Sequence, residues 1–203
     1  MGELSSRSDA LIVFAKPPEA GEVKTRLTEV LSEGEAAHLY RAFLADSLET
    51  YAGLGAAVRL YVTPPVRAFS DDLVPPSVTV REQAGPDLGA RMRRAFAETF
   101  EDGYERVLIV GTDHPSLPST HLVRAFEELA SEEMVVVGPS ADGGYYLLGM
   151  RTLRPEIFGG AYSHDEVFRE ALDRIVEIGA EPVIMPRWYD VDRPSELARL
   201  QND

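Results

Sequence analysis

Ala10-Leu11-Ile12-Val13-Phe14-Ala15 runs directly into Lys16-Pro17-Pro18-Glu19-Ala20-Gly21-Glu22-Val23-Lys24-Thr25-Arg26-Leu27. The first six residues form a short, continuous apolar run, the pattern of a parallel strand buried on both faces. The two prolines and the glycine that follow forbid regular structure, so the strand gives way to a loop. That loop carries Lys16, Gly21, Lys24 and Arg26. A glycine lets a backbone approach a phosphate closely, and cations at this point neutralise its charge. The stretch matches neither the P-loop nor the dinucleotide GxGxxG pattern.

Outward from this strand, elements alternate. Ser32 and Glu35 have capping-box spacing before a helix from Glu33 to Tyr51. Ala56 to Val62 and Thr79 to Glu82 read as strands, and Asp87 caps a helix through about Phe100. A strand from Arg106 to Val110 ends in Gly111-Thr112-Asp113-His114-Pro115, and Ser119 is expected to cap a helix to about Ala130. Met134 to Val137 and an antiparallel Tyr145 to Met150 follow. A second capping box, Ser163 with Glu166, is expected to open a helix to about Ile178, before a strand from Glu181 to Met185 and a last helix near Pro194. The alternation predicts one α/β domain over residues 1–203, with an ordered core of about 10–200. Its architecture is Rossmann-like, a mostly parallel sheet with helices on both faces.

Composition narrows the function. The 203 residues carry a formal charge of -14 and no cysteine. Duplex binding needs a cationic face, so nucleic acid is not an expected partner. Without cysteine there are no disulfides, thiolate zinc sites or thiol nucleophiles. No apolar run is long enough to span a bilayer, and the polar N-terminus lacks a signal-peptide core, which together point to the cytoplasm. The acidity fits either simple solubility or a salty cytoplasm. Of 20 basic residues, just Lys16 and Lys24 are lysines.

In open α/β sheets ligands bind beyond the carboxyl ends of the strands, and unusual polar residues collect there. Asp113 follows the fourth strand, where a carboxylate facing a phosphate loop suits Mg2+ (or Mn2+), which takes one or two carboxylates plus substrate phosphates. Asp190-Val191-Asp192 places alternate carboxylates on one side of an extended segment, and Asp192 is the candidate second metal ligand. Gln83 offers a donor and an acceptor to a nucleobase or ribose. Gly85 and Gly89 allow close packing over a ligand, and Arg91 is a candidate phosphate contact. Asp142, before Gly143-Gly144, either closes a tight turn or faces the crevice; of Tyr145 and Tyr146, alternation sends at most one toward a ligand. His114 is expected to point away from an ion bound at Asp113, Trp188 to pack, and Ser163 to Glu166 to form a solvated first turn.

Five segments, FAKPPEAGEVKTRL at 14–27, QAGPDLGARM at 83–92, GTDHP at 111–115, GPSADGGYYLLG at 138–149 and DVDRPSEL at 190–197, occur in this order. Together they resemble a bacterial family of glycosyltransferase-A-like proteins, of the DUF2064 type, in the nucleotide-diphospho-sugar transferase superfamily. The resemblance runs from about Ala10 to Leu200. It implies nucleotide bound at the first strand, Arg26 in the place of the arginine of a GxGTRL-like phosphate loop, and a divalent metal held by Asp113 and Asp192. His114 stands where cysteine is common, and Tyr162-Ser163-His164 where Trp-Ser-Thr is common. Three activities stay open. The first is glycosyl transfer from a nucleotide-sugar, with Mg2+, Lys24 and Arg26 stabilising the departing diphosphate and Asp142 taking the proton of a small-molecule acceptor. The second is nucleotidyl transfer from an NTP to a small phosphorylated metabolite. The third is nucleotide binding without catalysis.

Overall fold

The computed structural model describes residues 8–64, 69, 73–162 and 164–200. Strands β1 (Asp9–Ala15), β2 (Ala57–Val62), β3 (Thr79–Glu82), β4 (Arg106–Val110), β5 (Met134–Pro139), β6 (Tyr145–Met150) and β7 (Glu181–Ile184) form one sheet in the order β3-β2-β1-β4-β6-β5-β7. β1 pairs in parallel with β2 and β4, and β5 in parallel with β7, whereas β6 runs antiparallel between β4 and β5. The order reverses at β1, so the loops after β1 and β4 open a crevice between them.

The pleat of each strand explains the layers. In β1, Leu11, Val13 and Ala15 face one core and Ile12 the other; in β4, Leu108 and Val110 oppose Val107 and Ile109 in the same way. The first core is closed by Leu44 and Leu48 of α1 (Glu33–Ala52) and by Leu122 and Phe126 of α3 (Ser119–Glu128). The second is closed by Met92 and Phe96 of α2 (Leu88–Glu101) and Ile175 of α4 (Val167–Glu177). Each fully buried large apolar side chain contributes roughly 1.5–3 kcal/mol. A short helix α5 (Pro194–Leu200) ends the described chain.

Ser32 and Glu35 form the expected reciprocal capping box, and Asp87 accepts from Ala90 N at 2.8 Å. Two expected caps differ. Ser119 is the first residue of α3, and Pro118 occupies the cap without a side-chain bond, because its fixed φ of -62° sets the entry of the chain. Ser163 lies outside the described residues, and α4 starts at Val167 behind Glu166, which makes no capping bond. Phe168 N bonds the Gly143 carbonyl at 2.9 Å instead, tying α4 to the β5–β6 turn.

At the opposite edge of the central strands, Arg106 grips Asp9 through Nε at 2.6 Å and Nη2 at 2.8 Å, and donates to the Phe126 carbonyl at 3.1 Å. Asp9 is wholly buried. Removing one partner of such a pair strands the other charge, which costs about 3 kcal/mol or more. Asp9→Ala should therefore lower the free energy of unfolding by about 3 kcal/mol, read from the urea midpoint at unchanged slope. A loss below about 0.5 kcal/mol would show that water compensates Arg106 there.

Candidate active site

Beyond the carboxyl ends of β1 and β4 lies a cleft of about 600 Å3. Its walls include Lys16, Lys24, Arg26, Gln83, Arg91, Asp113, Asp142 and Asp192.

Lys24 is its centre. The ammonium bonds Asp113 Oδ1 and, at 2.8 Å, Asp192 Oδ1, spanning 89 and 168 residues of sequence. The Lys24 side chain is 1% exposed, against 48% for Asp113 and 33% for Asp192. Burial opposes the ammonium's charge, yet the two carboxylates outweigh it and hold the Lys24 pKa above its ordinary value. Lys24 has φ of 48°, the sole non-glycine residue with positive φ among those described. A left-handed conformation costs a non-glycine residue of order 1–3 kcal/mol and persists where the surroundings over-determine it. A 3-10 turn, Thr25–Glu29, follows and buries Leu27, which fixes the loop from below.

Backbone bonds bring the two aspartates together. Val191 N donates to the Asp113 carbonyl at 2.8 Å, and Trp188 N to the Pro139 carbonyl at 3.1 Å. Val191 is fully buried, so the carboxylates on either side of it both turn to the cleft, as alternation requires. Asp192 N is in turn held by Glu196 Oε2 at 2.8 Å. Arg26 is more distant, with Nη1 3.9 Å from Asp192 Oδ2 and an exposed side chain.

Other expectations are met unevenly. Gln83 lines the cleft, but its Nε2 donates to the carbonyls of Ala15 at 3.2 Å and Tyr61 at 2.9 Å. Both amide donors are thus spent on strand ends, which leaves Oε1 for any other partner. Gly21 and Gly85 do not line the cleft. Gly21 makes a turn at φ of 81°, and Gly85 packs so closely on α2 that a Cβ would lie 2.9 Å from Arg91 N. The Gly85 carbonyl accepts from Arg91 Nε at 3.1 Å, which orients Arg91 along the wall. Gly89 likewise packs against the Phe158 carbonyl rather than over a ligand. Asp142 Oδ1 accepts from Gly144 N at 2.9 Å, so this carboxylate both closes the turn and borders the cleft.

Tyr145 and Tyr146 both border the cleft, contrary to the expectation of one. They do face opposite cores, but the cleft straddles the sheet end and reaches both. Trp188 packs as expected, stacked on Tyr189 and bonded to Ser116. His164 bonds the Ala161 carbonyl, receives Glu166 N and lies 3.8 Å from Glu170 Oε1 of α4.

Two groups escape the sequence reading. Tyr40 OH accepts from Lys16 N at 3.0 Å and shares a hydrogen bond with Thr112 Oγ1 at 2.9 Å, clamping the β1 loop to the β4 loop. Burial pushes the Tyr40 phenol up, so it stays neutral. Beside it, His114 is 8% exposed and turned inward, with Nε2 2.9 Å from Asp190 Oδ1, and Ser140 Oγ bonds the same carboxylate. Burial works against the Asp190 charge, but His114, Ser140 and Asp142 outweigh it and hold its carboxyl below the usual range. The spacing Asp113-His114 gave a reason to turn the imidazole away from a metal, but nothing local pairs it with Asp190, 76 positions on.

Among the described residues no group of three or more His, Cys, Asp or Glu converges to hold a metal. Asp113 and Asp192 nevertheless meet at one point, and their hard oxygen donors fit Mg2+ or Mn2+ completed by substrate phosphates. None of the described helices is long and apolar enough to cross a membrane.

A mostly parallel sheet with one antiparallel strand and a cleft at its reversal point is the fold of nucleotide-diphospho-sugar transferases. A Desulfovibrio desulfuricans G20 protein provisionally assigned to that group superposes with a TM-score of 0.90 at 34% identity, covering 95% of this chain and 86% of that one. A nucleotidyl transfer protein from Methanothermobacter thermautotroptrophicus shares the fold with a TM-score of 0.64 at 16% identity, over 97% of each chain. The chain belongs to the family described as "Uncharacterized protein conserved in bacteria (DUF2064)", whose model matches residues 48–164. It is also 31% identical over 189 residues to the 3-phospho-D-glycerate guanylyltransferase of Phenylobacterium zucineum (strain HLK1), covering 87% of this chain and 83% of that protein.

The Tyr40 clamp can be tested directly. Tyr40→Phe leaves the Lys16 N–H and the Thr112 hydroxyl without their shared partner, and should cost about 1–2 kcal/mol in chemical denaturation. An unchanged midpoint would mean that the two loops hold their places without it.

Proposed function

We propose that this protein is a Mg2+-dependent nucleotidyltransferase that joins an NTP to a small phosphorylated metabolite. The observation that carries the reading is the convergence of Lys24, Asp113 and Asp192 at the mouths of β1 and β4, with Lys16 and Arg26 on the same loop. Such a set suits a triphosphate, whose charge is met by the loop cations and by an ion held by the two aspartates. When bound, that ion supplies charge neutralisation at the phosphates. Similarity to a guanylyltransferase over most of the chain supports GTP as donor and a phosphorylated hydroxy acid as acceptor.

The chemistry asks little of a base. An oxygen of the acceptor's phosphate, already ionised at neutral pH, attacks the α-phosphorus. The new P–O bond forms as the bond from that phosphorus to the α–β bridging oxygen breaks, and pyrophosphate leaves with the electron pair. Lys24, Lys16 and Arg26 hold the phosphate chain, Arg91 steadies an anion on the α2 side, and Gln83 Oε1 accepts from the base. Asp142 is then a wall of the acceptor site and not a proton acceptor, in keeping with the oxygen it commits to Gly144.

Glycosyl transfer is the second reading, favoured by the 34% identity to the Desulfovibrio protein. Products separate the two. Incubated with Mg2+, GTP and 3-phosphoglycerate, the protein should release pyrophosphate in step with a guanylylated product, and Asp113→Asn and Asp192→Asn should each lower kcat about 100-fold or more. Release of a nucleoside diphosphate from a nucleotide-sugar, with no pyrophosphate from any NTP, would replace this proposal by the second reading.

A further inference from the structure

We infer that the Lys24 ammonium is a built-in stand-in for the divalent cation: it occupies the point between Asp113 and Asp192 in the resting protein, and the ion binds only as the ammonium leaves. The inference deepens the proposed reaction, since it rests on Asp113 and Asp192 as the metal carboxylates.

Between the two Oδ1 atoms there is room for one cation at a time. Both Oδ1 atoms address the same nitrogen, and the side chain that carries it is 1% exposed. A divalent ion bridging the two Oδ1 atoms needs the space the ammonium fills, and two cations there would repel each other at contact distance. Among the described residues the ammonium is also the only cation bonded to both acids; Arg26 approaches Asp192 at 3.9 Å and is exposed. Its backbone is held in the left-handed region at φ of 48°, a conformation that delivers this side chain to the acids and that the loop maintains.

Departure needs a destination. The cleft that Lys24 borders also holds Lys16 and Arg26, and a polyphosphate lying along them offers the freed ammonium new anionic partners. Metal binding and phosphate binding are then coupled, each strengthening the other by the same factor. Free metal alone binds poorly, because it must displace the ammonium without that compensation. The ammonium thus serves as a lock that opens to the metal–nucleotide complex and keeps stray divalent ions out.

The test uses Mn2+ alone, followed by electron paramagnetic resonance of the unbound ion. Lys24→Gln should bind Mn2+ at least about 10-fold tighter than the unaltered protein, and Lys24→Gln with Asp113→Asn should lose that gain. Equal or weaker binding by Lys24→Gln, or no binding by either form, overturns the inference. Should Lys24→Gln not fold, the unaltered protein decides. It has two lysines, so 15N-lysine labelling gives two side-chain ammonium signals, the buried one belonging to Lys24. Saturating Mg2+ with GTP should shift or erase that signal; an unmoved signal overturns the inference. The two ideas fail separately. Pyrophosphate release with an unmoved Lys24 signal removes the lock alone, whereas tight Mn2+ binding by Lys24→Gln with no NTP turnover by the unaltered protein removes the reaction alone.

Discussion

One ammonium held by two carboxylates, drawn from three distant parts of the chain, is the constraint on which the site depends. Lys24 comes from the loop after β1, Asp113 from the loop after β4, and Asp192 from the segment that follows β7. Two acids this close would repel each other in the absence of a cation, and a buried ammonium would be expelled in the absence of the acids. Each therefore makes the other tenable. Their formal sum is one negative charge, which the exposed Arg26 approaches from the side of Asp192 Oδ2.

The sheet provides this meeting through its order. β1 and β4 are parallel neighbours, so their carboxyl ends lie side by side and their loops leave in the same direction. The antiparallel β6 then carries the chain away from the cleft, and β7 pairs with β5 at the far edge. The final segment must cross back over the ends of two strands, β5 and β6, to reach β4. It does so on backbone bonds, from Trp188 to Pro139 and from Val191 to Asp113, with Val191 buried as the anchor. A backbone track of this kind fixes Asp192 more firmly than side-chain packing alone, because each bond sets a register.

Strong local signals made most of the architecture readable in the sequence. The buried run at 10–15, the strand at 106–110, the Ser32–Glu35 box and the Asp87 cap all follow from neighbours within one turn or one strand. Where the structure departs, a longer-range partner has taken over: Gly143 serves the first turn of α4 in place of a side-chain cap, and the cleft reaches both tyrosines because it lies past the strand ends. The same divide runs through the site. Lys24, Asp113 and Asp192 could be picked out by residue type and topology, but not the bonds among them, nor the left-handed backbone of Lys24. Gly21 stands in the phosphate-loop segment and Gly85 where close packing over a ligand is expected, but they serve a turn and a helix contact. The pairing of His114 with Asp190 had no local trace at all.

The scarcity of lysine now has a physical sense. Eighteen of the 20 basic residues are arginine, and the two lysines both border the cleft. A guanidinium is a flat fork that satisfies one carboxylate with two parallel bonds and holds on to it. An ammonium is a compact charge with three donors pointing apart, so it can bridge two carboxylates that belong to different loops, and it can exchange partners by rotating a flexible stem. At Asp9 the chain uses the fork, where a permanent grip on a strand is wanted. At Asp113 and Asp192 it uses the point charge, a grip that can be released, as the proposed exchange with a divalent ion requires.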